Sequence, residues 1–177
     1  MSDFADADFA GNWNQAEADN SENVLSRTGY VLRYAGCPIT WCSKLQTEIA
    51  LLTAEAEYIA LSEMSKEQKF LNMLLNEVFE CELPCILYED NEAATYLAKN
   101  QHASPRTKHI DIREHYIREH LKELGEIKYI ESELNFADVI MKNVKITIFE
   151  TLGKAILNGF IGYEDKFQFS KHQRENV

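Results

Sequence analysis

The longest helical pattern in the chain begins at Thr53. Apolar residues follow it at intervals of three, four or seven, which is the repeat of one face of an α-helix. Counted from Glu57, that face contains Leu61, Met64, Leu71, Leu75 and Val78. The pattern predicts a helix from about Thr53 to Phe79. It also places Glu57 on the side that packs on the core and Glu55 on nearly the opposite side.

Shorter apolar runs predict five strands. Three of them precede the long helix, and a turn at residues 35–38 joins the second to the third, as in an antiparallel meander. The five runs cover residues 4–11, 28–34, 39–43, 85–88 and 127–130. Further helical patterns lie at residues 92–99 and 110–124, at a short stretch beginning with Asn135, and at 146–157. This order predicts an α/β fold in which helices flank a five-stranded mixed sheet.

The length of 177 residues suits one well-buried domain. We expect that domain to cover residues 1–145, followed at 146–177 by a C-terminal helix and a polar tail. No apolar run approaches the roughly 20 residues that span a bilayer. The acidic N-terminus lacks the basic and apolar regions of a signal peptide, so we expect an intracellular protein, or a domain cut from a longer polyprotein, without membrane contact.

The charge is unevenly distributed along the chain. A net charge of −11 argues against a general nucleic-acid binder, since such proteins are usually basic. Residues 99–128, however, contain seven Lys/Arg and five Asp/Glu, together with four of the five histidines. This locally basic segment is a candidate for binding phosphates.

Several carboxylates fall where predicted strands end or helices begin. They are Asp6 or Asp8 in the first strand, Glu57 in the long helix, Asp90 after the fourth strand, and Asp138 in the short late helix. If they converge, they cannot all stay ionised without cations, because close like charges repel. Two Mg²⁺ ions, about 3.5–4 Å apart, are the usual solution and suit in-line attack of water on a phosphodiester.

Each acid also has a structural alternative that spacing does not exclude. Asp90 and Asn91 are in position to cap the following helix. Asn135 and Asp138 have the spacing of a capping box. Asp6 and Asp8 are also compatible with a solvated strand face, and Glu57 with a partly exposed first helical turn.

Taken together, eight sequence blocks resemble the ribonuclease H domain of copia-type LTR retrotransposon Pol polyproteins. They occur in the family's order, over roughly residues 4–142. The blocks are Phe4–Gly11, Thr28–Val31, Pro38–Trp41 with Ser43–Lys44, Thr53–Leu61, Tyr88–Asn91, Arg106–Asp111, His115–Glu119 and Ala137–Asp138.

The resemblance implies the ribonuclease H-like fold and an endonuclease that cleaves the RNA strand of an RNA–DNA hybrid during reverse transcription. It implies two Mg²⁺ ions, with Mn²⁺ as a substitute, held by Asp6, Glu57, Asp90 and Asp138, while Asp8 has a supporting role. The implied partners are the hybrid and the adjacent reverse transcriptase domain of the same polyprotein. The implied location is the cytoplasm, within a virus-like particle.

The implied substrate contacts are Asn91, Arg106, Lys108, His109 and Arg113, the last four in the basic segment. Such contacts to phosphates fix the register of a duplex without reading its sequence. Two alternatives remain for the histidines: hydrogen bonds that hold a loop, or a metal site of His109, His115 and His120.

The chain also departs from the family pattern. Ile140–Asn143 replaces the usual Leu-Thr-Lys-Pro, and residues 131–136 contain no histidine. These departures keep open an alternative function, in which the domain is a catalytically weak or inactive structural module of a degenerate or domesticated element.

Overall fold

The computed structural model describes residues 1–17, 21–80, 83–100, 116–123, 125–142 and 144–157. The predicted substrate contacts Arg106, Lys108, His109 and Arg113 lie outside the described residues. The predicted polar tail, from Gly162 onwards, also lies outside them.

A five-stranded mixed sheet forms the centre of the fold, as predicted. Its strands are β1 (Ser2–Asp8), β2 (Arg27–Tyr34), β3 (Cys37–Leu45), β4 (Cys85–Glu89) and β5 (Gly125–Tyr129), in the spatial order β3-β2-β1-β4-β5. The pairs β1–β2 and β2–β3 are antiparallel, whereas β1–β4 and β4–β5 are parallel. Ala35 and Gly36 join β2 to β3 with positive φ angles of 50° and 81°, the combination that two-residue hairpin turns favour.

Five helices are described. They are α1 (Thr53–Phe79), α2 (Glu92–Lys99), α3 (described at residues 116–123), α4 (Asp138–Met141) and α5 (Ile146–Leu157). The bounds of α1, α2 and α5 agree with the sequence prediction. The short helix predicted from Asn135 begins three residues later, at Asp138, after a 3-10 turn at Ser132–Leu134. Among these described helices, none is long and apolar enough to cross a membrane.

Both faces of the central strand β1 are covered. On one face, Tyr58, Leu61 and Met64 of α1 pack with buried residues of β1, β2, β4 and β5. On the other, the Phe4 ring stacks on Tyr88 with centroids 4.8 Å apart and meets the edge of Phe136 at 4.6 Å. Leu152 of α5 belongs to the same cluster as Phe4. The alternative of a solvated strand face therefore does not hold for Asp6, which is fully buried.

One prediction for the α1 faces was wrong. Val78 is 65% exposed, because the buried positions of α1 end at Asn72 and leave the last two turns outside the core. Glu55, placed on nearly the opposite side from Glu57, is also buried, and its Oε2 accepts a hydrogen bond of 2.8 Å from the Leu51 amide. The N-cap residue Leu52 makes no side-chain hydrogen bond, and Glu55 at the third helical position bonds the amide one residue before the N–H that the Glu of a capping box would bond.

A chain of buried polar groups ties α3 to α1 and β1. Gln68 of α1 donates its side-chain N–H to Asp3, and its carbonyl oxygen pairs with Nε2 of His120 in α3. Asp3 Oδ1 also accepts a hydrogen bond of 3.1 Å from the Arg33 amide. Burial raises the pKa of Asp3 to about 6 and lowers the pKa of His120 to about 4.

These shifts predict opposing effects of pH on stability. The folded state binds the Asp3 proton more tightly than the unfolded chain does, so at low pH this proton adds to the free energy of unfolding. That contribution is lost as pH rises from 3.8 to about 6. For His120 the unfolded chain binds the proton more tightly than the folded state does. The contribution of His120 to the free energy of unfolding is therefore lost as pH falls from 6.5 to about 4. Between pH 4 and 6 the two contributions largely cancel.

Replacing His120 with Gln removes only the second contribution. On acidification from pH 6.5 to 4, we expect the free energy of unfolding of H120Q to rise relative to that of the unchanged protein, by on the order of 2 kcal/mol. Urea denaturation at several pH values measures this difference. K122Q, an exposed change on the same helix, is the control, and parallel pH curves for H120Q and the unchanged protein would contradict the expectation.

Candidate metal centre

The strand register brings Asp6 and Asp90 to the same end of the sheet. β1 and β4 are parallel neighbours, and Phe4 lies opposite Tyr88. Two residues further along each strand are Asp6 and Asp90, just where β4 has ended at Glu89. Because parallel strands place their carboxyl ends at one edge, the two aspartates meet at this edge without any long-range adjustment of the chain.

Glu57 completes a group of three carboxylates. It lies in the second turn of α1, which packs across β1, and it is only 4% exposed. One carboxylate oxygen from each of Asp6, Glu57 and Asp90 lies within 4.8 Å of the others. The structure therefore brings together three of the four predicted metal ligands, two of them buried and Asp90 half-buried.

The fourth predicted ligand, Asp138, is linked to this group through a lysine. Lys142 Nζ lies 2.6 Å from Asp6 Oδ2 and 2.8 Å from Asp138 Oδ1. Asp138 is the first residue of α4 and is mostly buried. Sequence reasoning did not include Lys142 in the site. Its place four residues after Asp138, one helical turn away, is the sequence signal that would have included it.

Asn135 connects the segments that present Asp6 and Asp138. Its side-chain N–H donates to the Ala5 carbonyl at 2.7 Å, and its side-chain oxygen accepts from the Ala137 amide at 3.1 Å. Each of these partners immediately precedes one of the two aspartates. The capping-box alternative is therefore replaced by a different structural role, in which Asn135 fixes the separation of β1 and the start of α4.

A fifth acid, Glu89, lies next to the group and was also missed by sequence reasoning. It is fully buried at the end of β4, and its Oε1 accepts a hydrogen bond of 3.1 Å from the Asn91 amide. Its position among Cys85 and Leu87 on the alternating buried face of β4 is the signal that could have found it. Burial, reinforced by the negative charges of Glu57 and Asp90, raises its pKa well above the ordinary value.

The same forces act on the predicted ligands. Burial is the largest cause that raises the pKa of Glu57, to about 8, and the nearby charge of Asp90 adds to it, whereas Lys142 and the Ala7 amide oppose it. The pKa of Asp6 is raised mainly by burial, then by Asp138 and Glu57, against the opposing charge of Lys142. Buried acids with raised pKa values are stabilised when they bind either protons or additional cations.

The donor set fits a hard divalent cation. Within the described part of the chain, Asp6 Oδ1, Glu57 Oε2 and Glu89 Oε2 are buried carboxylate oxygens without a hydrogen-bond partner. Leaving such oxygens without a partner costs free energy that coordination would recover. Carboxylate oxygens are the ligands that Mg²⁺ and Mn²⁺ prefer.

Two of the other predicted site residues are described, and both have structural contacts. Asn91 is the N-cap of α2, and its Oδ1 accepts from the Ala94 amide at 3.0 Å, so the capping alternative holds for it. His120 is buried against Gln68. The suggested partners of His120 in a histidine metal site, His109 and His115, lie outside the described residues.

The sequence is similar to curated transposon polyproteins, although no family model matches it. It is 38% identical over 148 residues to the retrovirus-related Pol polyprotein from transposon TNT 1-94 of Nicotiana tabacum, which covers 83% of this chain. It is 30% identical over 155 residues, or 86% of the chain, to the corresponding polyprotein from transposon RE1 of Arabidopsis thaliana. The chain spans about a tenth of the length of these relatives: 10% of each.

Several solved structures with a similar fold are ribonucleases H. A ribonuclease H1 isolated from compost superimposes with a TM-score of 0.55 at 18% identity, over 77% of this chain and 89% of its own. The N-terminal ribonuclease H domain of a Mycobacterium tuberculosis protein gives a TM-score of 0.55 at 11% identity, over 87% and 96%. By fold the chain is thus a ribonuclease H-like domain, and by sequence it is similar to a part of the retrovirus-related Pol polyproteins of transposons.

Proposed function

We propose that this domain is an endonuclease that hydrolyses the RNA strand of RNA–DNA hybrids with the help of two divalent cations. One observation carries the proposal above all: the convergence of Asp6, Glu57 and Asp90 within 4.8 Å at the edge of a ribonuclease H-like sheet. Asp138 lies beside Asp6 across the Lys142 ammonium group and would be the fourth ligand.

The carboxylates have two tasks in this proposal. Asp6, Glu57 and Asp90 would hold one Mg²⁺ ion, and Asp6 with Asp138 would hold the other, with Mn²⁺ as a substitute. When bound, such ions lower the pKa of a water molecule and stabilise the negative charge of the departing oxygen. Water adds to the phosphorus as the bond to the 3′ oxygen breaks, which leaves a 3′-hydroxyl and a 5′-phosphate.

Two comparisons support the proposed substrate and setting. One solved structure with the same fold, at a TM-score of 0.53 and 17% identity, is a ribonuclease H1 from compost in complex with an RNA/DNA hybrid. The transposon relatives are Pol polyproteins. We therefore propose a hybrid produced by reverse transcription as the substrate, the adjacent reverse transcriptase domain as a partner, and a cytoplasmic virus-like particle as the location. Contact of Asn91, Arg106, Lys108, His109 and Arg113 with the hybrid stays a prediction.

Cleavage of an end-labelled RNA–DNA hybrid with Mg²⁺ or Mn²⁺ tests the proposal. D90N removes one ligand charge from the group of three acids and should abolish cutting. E92Q is the matched control, because Glu92 is an exposed acid two residues away that belongs to the first turn of α2. Double-stranded DNA and double-stranded RNA of the same sequence should remain uncut.

A folded protein that cuts no hybrid, even after the reverse transcriptase domain has been added, would contradict the proposal. That result would favour the alternative of a non-catalytic structural module. Cutting that appears only when the polymerase domain is present would keep the proposal and assign substrate positioning to the neighbouring domain.

A further inference from the structure

Lys142 has the position of a cation in the candidate metal centre. Its Nζ is within 2.8 Å of an oxygen of Asp6 and an oxygen of Asp138, and these two acids come from elements that are far apart in the sequence. The Lys142 side chain is 33% exposed, whereas that of Asp6 is completely buried. The ammonium group is therefore a positive charge that compensates these two carboxylates.

The backbone directs Lys142 to this position. It follows the last residue of α4 with an extended conformation, φ −112° and ψ 155°, and its amide donates to the Asp138 carbonyl at 2.9 Å. The hydrogen bond holds the Lys142 backbone one turn above Asp138, so the side chain returns along the helix to the carboxylate that opens it. The short helix thus carries an acid and its own counterion.

The site consequently offers two different cation positions that share Asp6. The first is the group of Asp6, Glu57 and Asp90, whose oxygens lie within 4.8 Å of one another and which does not include Asp138. The second lies between Asp6 and Asp138, where Nζ is found. An ion bound from the same side to the same two oxygens, at about 2.1 Å from each, would overlap the ammonium group.

We infer that Lys142 competes with the second metal ion for the position between Asp6 and Asp138, and thereby sets the affinity of that position. This inference rests on the proposed binding of metal by the carboxylates. The first ion binds at Asp6, Glu57 and Asp90 while Lys142 remains in place. The second ion binds only after the lysine side chain has moved out.

Binding of the first ion favours this exchange. The ion and the ammonium group share Asp6, so a divalent charge at the first position reduces the attraction between Asp6 and Lys142 and repels the ammonium group. Competition weakens the apparent affinity in proportion to the occupancy of the competitor. If the lysine occupies the second position about 90% of the time, the apparent dissociation constant of the second ion is about tenfold higher than without the lysine.

Titration of the full chain with Mn²⁺ tests the inference, with free Mn²⁺ measured from its paramagnetic resonance signal. We expect the unchanged protein to bind one ion more tightly than the other. K142M keeps the length of the side chain and removes its charge, and it should bind the second ion at least about tenfold more tightly. K142R should weaken the second ion, because a guanidinium group holds two carboxylates with several donors. K122M removes an exposed lysine of α3 that pairs with Glu119, and should change neither ion.

The outcomes separate this inference from the proposed function. A second ion bound equally tightly by K142M and the unchanged protein would overturn the role of Lys142 and leave the metal centre intact. A protein that binds no Mn²⁺ at all would overturn the metal centre itself. If Lys142 has only a structural role, its replacement should change the melting temperature but not the affinity for the second Mn²⁺ ion. Both quantities are therefore measured. If K142M does not fold, K142R decides the matter. The inference is overturned if K142R binds the second Mn²⁺ ion at least as tightly as the unchanged protein does.

Discussion

Replacing Asp6 with Asn is expected to lower hybrid cleavage by at least about 100-fold. Losing even a residue that hydrogen-bonds to a metal ligand lowers metal affinity or activity by about 10–100-fold. Asp6 is the acid shared by both proposed cation positions, and it contacts Lys142 while lying within 4.8 Å of Glu57 and Asp90. Among these three acids, only Asp6 both belongs to the group and contacts Lys142. Its loss should therefore impair both ions, whereas D90N directly affects only the first.

The same change should stabilise the metal-free protein. Asp6 is fully buried, and its pKa is raised by burial and by the neighbouring acids, so the ionised form opposes folding at neutral pH. A neutral amide of the same shape removes that charge, and although the ion pair with Lys142 is lost, Lys142 keeps Asp138 as its charged partner. We expect the free energy of unfolding in EDTA to increase by about 2 kcal/mol, which is a rise in melting temperature of roughly 4–8 °C for a protein of this size.

E92Q is the control for both measurements. Glu92 is an exposed acid in the first turn of α2 and is absent from the group of three acids. Its replacement should leave cleavage and the melting temperature in EDTA nearly unchanged. A D6N protein that melts lower than the unchanged protein in EDTA would show that Asp6 is a structural residue, and full cleavage by D6N would refute its role as a shared ligand.

Local patterns were sufficient to predict most of the fold. The apolar repeat between Thr53 and Phe79 predicted both ends of α1, because the repeat and the long stretch without Gly or Pro favour a helix over a strand. The turn after Tyr34 predicted the β2–β3 hairpin. Val78 shows the limit of this reasoning: its position continues the apolar repeat, but whether another layer covers that part of the helix depends on the length of the sheet.

The sequence named candidate acids one at a time, and their arrangement comes from the fold. Asp6 and Asp90 follow from strand ends, yet only the parallel register of β1 and β4 places them side by side. Glu89 and Lys142 were missed because each looks ordinary in sequence. An acid at the end of a strand and a lysine after a short helix are common surface residues, and only burial of Glu89 and the contacts of Lys142 distinguish them.

Asn135 is the residue whose replacement should most affect both stability and the site geometry. It is fully buried, and its side chain bonds both the Ala5 carbonyl, 130 residues earlier in the sequence, and the Ala137 amide. N135A leaves both backbone groups without these partners, and an unsatisfied buried polar group costs about 1–3 kcal/mol. We expect N135A to lose about 3 kcal/mol of unfolding free energy in urea denaturation.

The effect on activity follows from which residues Asn135 connects. Ala5 and Ala137 precede Asp6 and Asp138, so loss of the bridge should let the start of α4 move relative to β1. Cleavage should then fall by at least about tenfold under conditions where N135A is fully folded, because small displacements of positioned groups are costly in catalysis. Binding of the second Mn²⁺ ion should weaken more than that of the first, since only the second proposed position uses Asp138.

N100A is the control that separates this role from a general loss of an asparagine hydrogen bond. Asn100 also bonds a backbone carbonyl, that of Tyr96 at 2.9 Å, but it does so on the surface at the end of α2. It should cost less than about 1 kcal/mol and leave cleavage unchanged. Equal losses of stability in N100A and N135A, or a folded N135A protein with full activity and an unchanged second ion, would show that the bridge between β1 and α4 does not position the metal centre.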